Sequence, residues 1–167
     1  MAISPTIPAS ADRLSETELR AWRGLLRTHA LLSKALDAQL EAEHGLPLTS
    51  YEVLVRLAEA EEHKMRMCDL ATSVILSRSG LTRLVDRLER DGLLMRESCA
   101  SDARGAFAKL TPEGREKLQA ARATHLAGVR SLFLDRFSPE EQELLGAFWD
   151  RVTPAAAAAA GADDCGC

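Results

Sequence analysis

Three features predict a mainly α-helical fold that carries one small, two-stranded antiparallel hairpin. Apolar residues recur at i, i+3, i+4 and i+7 through most of the 167 residues, the spacing of a helix with one buried stripe. Four segments open on residues that start helices: Ser15-Glu16-Thr17-Glu18, Thr49-Ser50-Tyr51-Glu52, Thr111-Pro112-Glu113 and Ser138-Pro139-Glu140-Glu141. Aromatic residues make up only 4% of a chain that is 46% hydrophobic, which points to an aliphatic core with few strands.

Residues 1–14 carry two prolines among small residues and read as a flexible N-terminal arm. The capping box at Ser15 and Glu18 opens a long helix over 15–45, with Trp22, Leu25, Leu26, Leu32, Leu36 and Leu40 on its apolar side. Gly45 stops it, and Pro47 prevents its continuation. The second box, Thr49 to Glu52, starts a helix with Val53, Leu54 and Leu57 inward. His63 to Arg66 is expected to be a loop or a helix start, and Met67 to Thr72 a short helix packed through Leu70 and Ala71. Ser73 to Leu76 is the turn that leads into the next helix.

That next helix, over 77–91, has the clearest pattern in the chain. Leu81, Leu84, Val85 and Leu88 form one stripe, and Ser79, Thr82, Arg83, Asp86 and Arg87 lie opposite. Ser77 is suited to the N-cap and Gly92 to a left-handed stop. The outward face of its first two turns holds Arg78, Ser79, Thr82 and Arg83, hydroxyls beside guanidinium forks that can bond base edges and phosphates in a major groove. Leu93 to Cys99 then reads as a strand, Ala100 to Gly105 as a turn, and Ala106 to Leu110 as the returning strand. Asp102 and Arg104 sit in that turn.

After the hairpin, Thr111 caps a helix with Pro112 at its first position, running to about Phe137. Ser138 opens a last helix with Leu144, Leu145, Phe148, Trp149 and Val152 at helical spacing. Residues 111–152 therefore read as a helical pair whose apolar stripe needs a partner surface. Residues 153–167, with Pro154, a run of alanines and a Cys-Gly-Cys end, read as a flexible tail without a role in the fold.

The stretch Leu76 to Leu94, then Asp102-Ala103-Arg104-Gly105, then Leu110-Thr111-Pro112-Glu113-Gly114-Arg115, resembles the winged helix-turn-helix core of the MarR (multiple antibiotic resistance regulator) family. With its flanking helices the resemblance covers residues 15 to 152, and Asp-x-Arg followed by Leu-Thr-x-x-Gly is its most specific part. It implies a dimeric bacterial transcription regulator, most often a repressor, with a DNA-binding region over 46–110 between dimerisation helices. By this resemblance Ser77, Arg78, Ser79, Thr82 and Arg83 are recognition-helix contacts in the major groove, with Arg87 included in the DNA-binding set. Arg104, on the wing over 99–106, enters a minor groove. Asp102 orients Arg104 or Arg87, since a carboxylate facing phosphates is repelled. Two recognition helices on a two-fold axis imply a pseudo-palindromic operator in double-stranded DNA. The resemblance also implies release by a small, often phenolic or lipophilic effector, with Trp22, Arg23, His29 and Tyr51 as the candidate pocket and the rings of Trp22 and Tyr51 as faces for an aromatic ligand; the alternative is that Trp22 and Tyr51 pack the core or an interface.

A net charge of −4 does not by itself suggest a nucleic-acid binder. Between Leu76 and Leu110, however, seven basic residues stand against five acidic ones, so the positive charge is local and a dimer doubles it. The sequence holds no Gly-rich phosphate loop, no nucleophile elbow and no carboxylate cluster with a partner base, so no enzyme, no cofactor and no metal site is expected. No apolar run reaches membrane-spanning length and no signal peptide is recognisable, so a cytoplasmic protein is expected. The alternative regulatory chemistry is thiol sensing by the same fold, with Cys68 or Cys99 as the oxidised residue.

Overall fold

The computed structural model describes residues 13–74, 78–99 and 102–159, without the side chains of residues 78, 99, 102–105, 155, 158 and 159. Six helices and three strands follow in the order α1 (Glu16–His44), α2 (Leu48–Glu59), β1 (Lys64–Arg66), α3 (Met67–Ser73), α4 (Arg78–Arg90), β2 (Leu94–Cys99), β3 (Asp102–Leu110), α5 (Pro112–Leu132) and α6 (Pro139–Ala159). The architecture is mostly helical with a small antiparallel sheet, as expected. Single 3-10 turns occupy Glu61–His63 and Leu134–Arg136.

A boundary after Ala35 divides the chain into two compact units. The first holds the start of α1, where Ser15 and Glu18 close a reciprocal capping box: the Ser15 backbone N–H donates to Glu18 Oε2 at 2.7 Å, and the Glu18 N–H donates to Ser15 Oγ at 3.3 Å. These bonds hold the Glu18 carboxyl below its ordinary range. Trp22, Leu25, Leu26 and Leu31 in this unit are all exposed.

The second unit contains the core. Leu40 from α1 meets Val53, Leu54 and Leu57 of α2, Leu70 and Ala71 of α3, the α4 stripe, Leu94 and Leu110 of the sheet, and Leu118 and Ala121 of α5. α1 ends as the sequence requires: Gly45 takes φ +57°, and the Leu46 N–H reaches back to the Leu40 carbonyl. α4 ends the same way at Gly92, φ +72°, with the Leu93 N–H donating to the Leu88 carbonyl at 2.9 Å. α5 begins at Thr111, whose Oγ1 accepts from the Gly114 N–H at 3.0 Å and donates to the Gly92 carbonyl at 2.7 Å. Gly114 has no room for a side chain, because a Cβ there would collide with the Leu93 carbonyl.

Outside the wing, four expectations need correction. Residues 64–66 form a third strand, not a loop or helix start: the sheet order is β1-β3-β2, with Met65 opposite Ala108 and Arg66 opposite Phe107. The second capping box does not form. α2 starts two residues earlier, at Leu48 with Pro47 in place of Thr49 at the N-cap, and the Leu48 N–H is satisfied by Asp37 Oδ1 at 2.8 Å, which leaves Ser50 buried inside the helix. α5 stops at Leu132, because Phe133 leaves helical geometry (φ −130°), instead of running to Phe137. α6 does not end at Val152 but passes through Pro154 to Ala159, the high helix propensity of the alanines outweighing the hydrogen bond that proline removes. The flexible tail expected over 153–167 is therefore helical as far as Ala159, and residues 160–167 lie outside the described residues.

Candidate nucleic-acid interface

α4 is held by its inner face and presents its outer one. Leu81, Leu84, Val85 and Leu88 are all buried, while Ser79, Thr82, Arg83, Asp86 and Arg87 lie exposed on the other side. α3 packs on α4 through Leu70 and the small Ala71, both buried, which completes a helix-turn-helix. Along the exposed side the arginines lie close to the helix: Arg83 Nε donates to the Ser79 carbonyl at 3.4 Å and Arg90 Nε to the Asp86 carbonyl at 3.2 Å. Among the described residues no carboxylate forms an ion pair with Arg83, Arg87 or Arg90.

Arg87 does something the sequence did not disclose. Its Nη2 donates to Ser50 Oγ at 2.9 Å, so this guanidinium ties α4 to the buried serine of α2. The tie satisfies a hydroxyl that burial would otherwise leave unpaired. Ser50 and Arg87 stand 37 residues apart, and no local motif links them.

The sheet projects from the end of α4. Leu94 pairs with Leu110 at its root, and the register continues through Arg96 opposite Ala108 to Ser98 opposite Ala106. A register shift follows between Ser98 and Cys99, where Cys99 pairs with Asp102. The strand therefore begins at Asp102, inside the segment expected to be turn. Lys109 Nζ donates to Glu97 Oε1 at 2.8 Å across the two strands, and the cations of Lys64 and Arg66 lie 5.8 Å from the Phe107 ring centre. Lys64 also pairs with Glu62. Arg96 reaches back from β2 to α4: Nη2 donates to Asp86 Oδ1 at 2.6 Å, Nη1 donates to Glu89 Oε2, and the Arg96 backbone N–H donates to Glu89 Oε1 at 3.0 Å. Partial burial opposes its charge, but the bonds and charges of Asp86 and Glu89 prevail and hold Arg96 above its ordinary range.

Of the expected contacts, Ser79, Thr82, Arg83 and Arg87 share the outer side of α4. Ser77 lies outside the described residues, and the side chains of Arg78, Asp102, Arg104 and Cys99 lie outside them too. Cys68 sits in the first turn of α3, half-buried, with its thiol donating to the Asp69 carboxylate at 3.7 Å.

The residues expected to hold an effector have different surroundings. Trp22 is 53% exposed, and Arg23 and His29 are exposed on the same first unit of α1. Tyr51 is buried, its ring 4.4 Å from that of His125 on α5, and burial pushes its phenol up. His125 was not singled out by the sequence. Its Nδ1 is buried with no hydrogen-bond partner among the described residues, and burial pushes the imidazole below its ordinary value. A cavity of about 450 Å³ lies elsewhere, between the last turns of α1 and α5, lined by Gln39, Glu43, Thr124 and Ser131 with small residues between them. There Thr124 Oγ1 donates to Glu43 Oε2 at 2.8 Å and lies 2.9 Å from His44 Nε2.

Known proteins match this arrangement. The MarR family pattern matches residues 46–105, from the start of α2 to the wing. Sco3205, a MarR family transcriptional regulator from Streptomyces coelicolor solved in complex with DNA, superposes with a TM-score of 0.81 at 39% identity, over 86% of this chain and 89% of that one. The transcriptional regulator HosA of Escherichia coli O157:H7 is 37% identical over 103 residues, which are 61% of this chain and 76% of HosA. The HTH-type transcriptional repressor YetL of Bacillus subtilis is 27% identical over 129 residues, 73% of this chain and 77% of YetL.

Proposed function

This chain belongs to the MarR family of transcriptional regulators, and from that premise we propose that it is a homodimeric repressor that binds a pseudo-palindromic DNA operator. It is a transcriptional regulator, not an enzyme, and among the described residues no helix is long and apolar enough to cross a membrane. The observation that carries the DNA reading is the outer side of α4, where Ser79, Thr82 and Arg83 share one exposed face of a helix whose other face is locked into the core. The solved complex of Sco3205 with DNA supports it, and the repressor YetL supports the sign of the regulation. In this reading α4 enters the major groove, Ser77, Arg78 and Arg87 add contacts to phosphate or base, and the wing brings Arg104, oriented by Asp102, to the adjacent minor groove. Arg87 keeps one nitrogen on Ser50, so its role is as much to brace α4 as to touch DNA. The protein acts in the cytoplasm, and a small aromatic effector releases it, with the exposed Trp22 ring as a stacking surface beside Arg23 and His29.

Selection from a random duplex library, followed by fluorescence anisotropy on the recovered sequence, tests this reading. An inverted repeat with half-sites about one helical turn apart is expected. Arg83→Ala narrows the gap between that site and a scrambled duplex, and Arg104→Ala weakens binding by about 1–3 kcal/mol with little change in melting temperature. Recovery of no preferred sequence, or wild-type affinity in both variants, overturns it.

A further inference from the structure

We propose that Arg96 is a positioning residue that fixes the wing at a set angle to α4, so that helix and wing reach one duplex together; this rests on the DNA reading above. β2 leaves α4 through the turn at Gly92, and the sheet is anchored at its root by Leu94 opposite Leu110. Alternation along a strand puts residue 96 on the same face as Leu94, toward α4, where an apolar residue would simply extend the core. An arginine stands there instead, and it is gripped in three places. Its two terminal nitrogens take separate carboxylates, Asp86 and Glu89, one turn apart on α4, and its own backbone N–H donates to Glu89.

The backbone bond gives the arrangement its specificity. Among the described residues β2 pairs with β3 alone, so its other side is a sheet edge. Glu89 takes the Arg96 N–H, which makes α4 rather than water the neighbour of that edge. A guanidinium fork bonded to two carboxylates fixes direction as well as distance, which a point charge does not. Each pair is half-exposed, so the gain in global stability is small and the constraint acts on orientation. The same contacts place a cation against Asp86 and Glu89, two acids on the helix that is to approach phosphates.

The test has two arms on the full-length chain. In the first, hydrogen–deuterium exchange of the free protein compares wild type with Arg96→Gln and Arg96→Lys. Exchange in 94–99 and 102–107 is expected to rise about tenfold in the glutamine variant and less in the lysine variant, with 48–59 unchanged. Unchanged wing exchange, or a rise that includes 48–59 with a lowered melting temperature, overturns the proposal in favour of no role or a general structural one. In the second arm, Arg96→Gln and Arg104→Ala are combined on the selected duplex. If Arg96 acts by placing the wing, each single variant loses affinity about tenfold and the double variant loses little more than Arg104→Ala alone. Losses that multiply overturn the positioning role. Wild type that binds no duplex overturns the DNA reading itself, which the first arm, needing no DNA, keeps separate from the clamp.

Discussion

α4 and α6 carry the same kind of apolar stripe and meet opposite fates. In α4, Leu81, Leu84, Val85 and Leu88 are between 0 and 8% exposed. In α6, Leu144, Phe148, Trp149 and Val152 are between 39 and 56% exposed. Helical periodicity thus states that a face will be covered but not by what. The α4 stripe is covered by α2, α3, α5 and the sheet of its own chain, whereas the α6 stripe and the apolar residues at the start of α1 stand open. Large apolar side chains gathered on one helix mark an association surface. Under the proposed reading of a two-fold operator, the occupant of that surface is a second copy of the chain.

The largest expected effect lies on the covered side. Leu88→Ala is expected to lower the unfolding free energy by about 2–5 kcal/mol in a denaturant titration, since the fully buried leucine leaves a cavity among residues that cannot collapse onto it. The matching truncation in α6, Leu144→Ala, should leave the same titration nearly unchanged under conditions where the protein is monomeric. If the two variants lost equal stability there, the contrast between the stripes would be void.

On the open side, Trp149→Glu is expected to halve the mass found by sedimentation velocity, by placing a charge in the centre of an apolar contact at a cost of about 2 kcal/mol or more. Far-ultraviolet circular dichroism should stay that of the wild type. A variant that remains dimeric would move the interface away from α6.

Thr111→Ala should cost about 1 kcal/mol, because it removes both the N-cap of α5 at Gly114 and the bond to the Gly92 carbonyl. Calorimetric melting measures it. The variant sharpens the comparison because Thr111 links the end of α4 to the start of α5. A loss confined to melting, with DNA affinity kept, would show that the cap serves the fold rather than the placement of α4.

How much of this was legible depends on the distance over which each feature is specified. Caps written within four residues, at Ser15, Thr111 and Ser138, form as read, and so do the glycine stops at 45 and 92. The stripe of α4 is equally local and equally clear. Thr49 misled because Asp37, eleven residues before Leu48, supplies the helix-start bond to the Leu48 N–H from another element. β1 has three residues, too few for an alternating pattern, and exists only because β3 lies beside it. Within the candidate interface, the outward arginines of α4 were readable from spacing. The Arg87–Ser50 tie, and elsewhere the tilted ring contact of His125 with Tyr51, join residues from separate helices and leave no local trace. Arg96 did leave one: an arginine two positions after an inward leucine on a strand is a charge on the core side, and such a charge demands partners.

The smallest expected effect concerns the seam between α2 and α5, where the buried Tyr51 meets His125. Burial pushes the His125 imidazole below its ordinary value of 6.5, and its Nδ1 has no partner among the described residues to hold a proton. The unfolded chain therefore takes up that proton first as the pH falls. Stability from this group is complete above about pH 6.5 and is lost as the pH drops below it toward the folded value. Tyr51 adds no titration of its own in that window, because burial moves its phenol upward. Melting temperature should consequently fall more between about pH 7.5 and pH 5.5 in wild type than in His125→Phe, which keeps an aromatic ring against Tyr51 but has nothing to protonate. His29, His44 and His63 are present in both proteins, so the difference between the two slopes belongs to residue 125. Parallel slopes would mean that the imidazole is protonated without disturbing the seam, and that acid acts on the open helical faces instead.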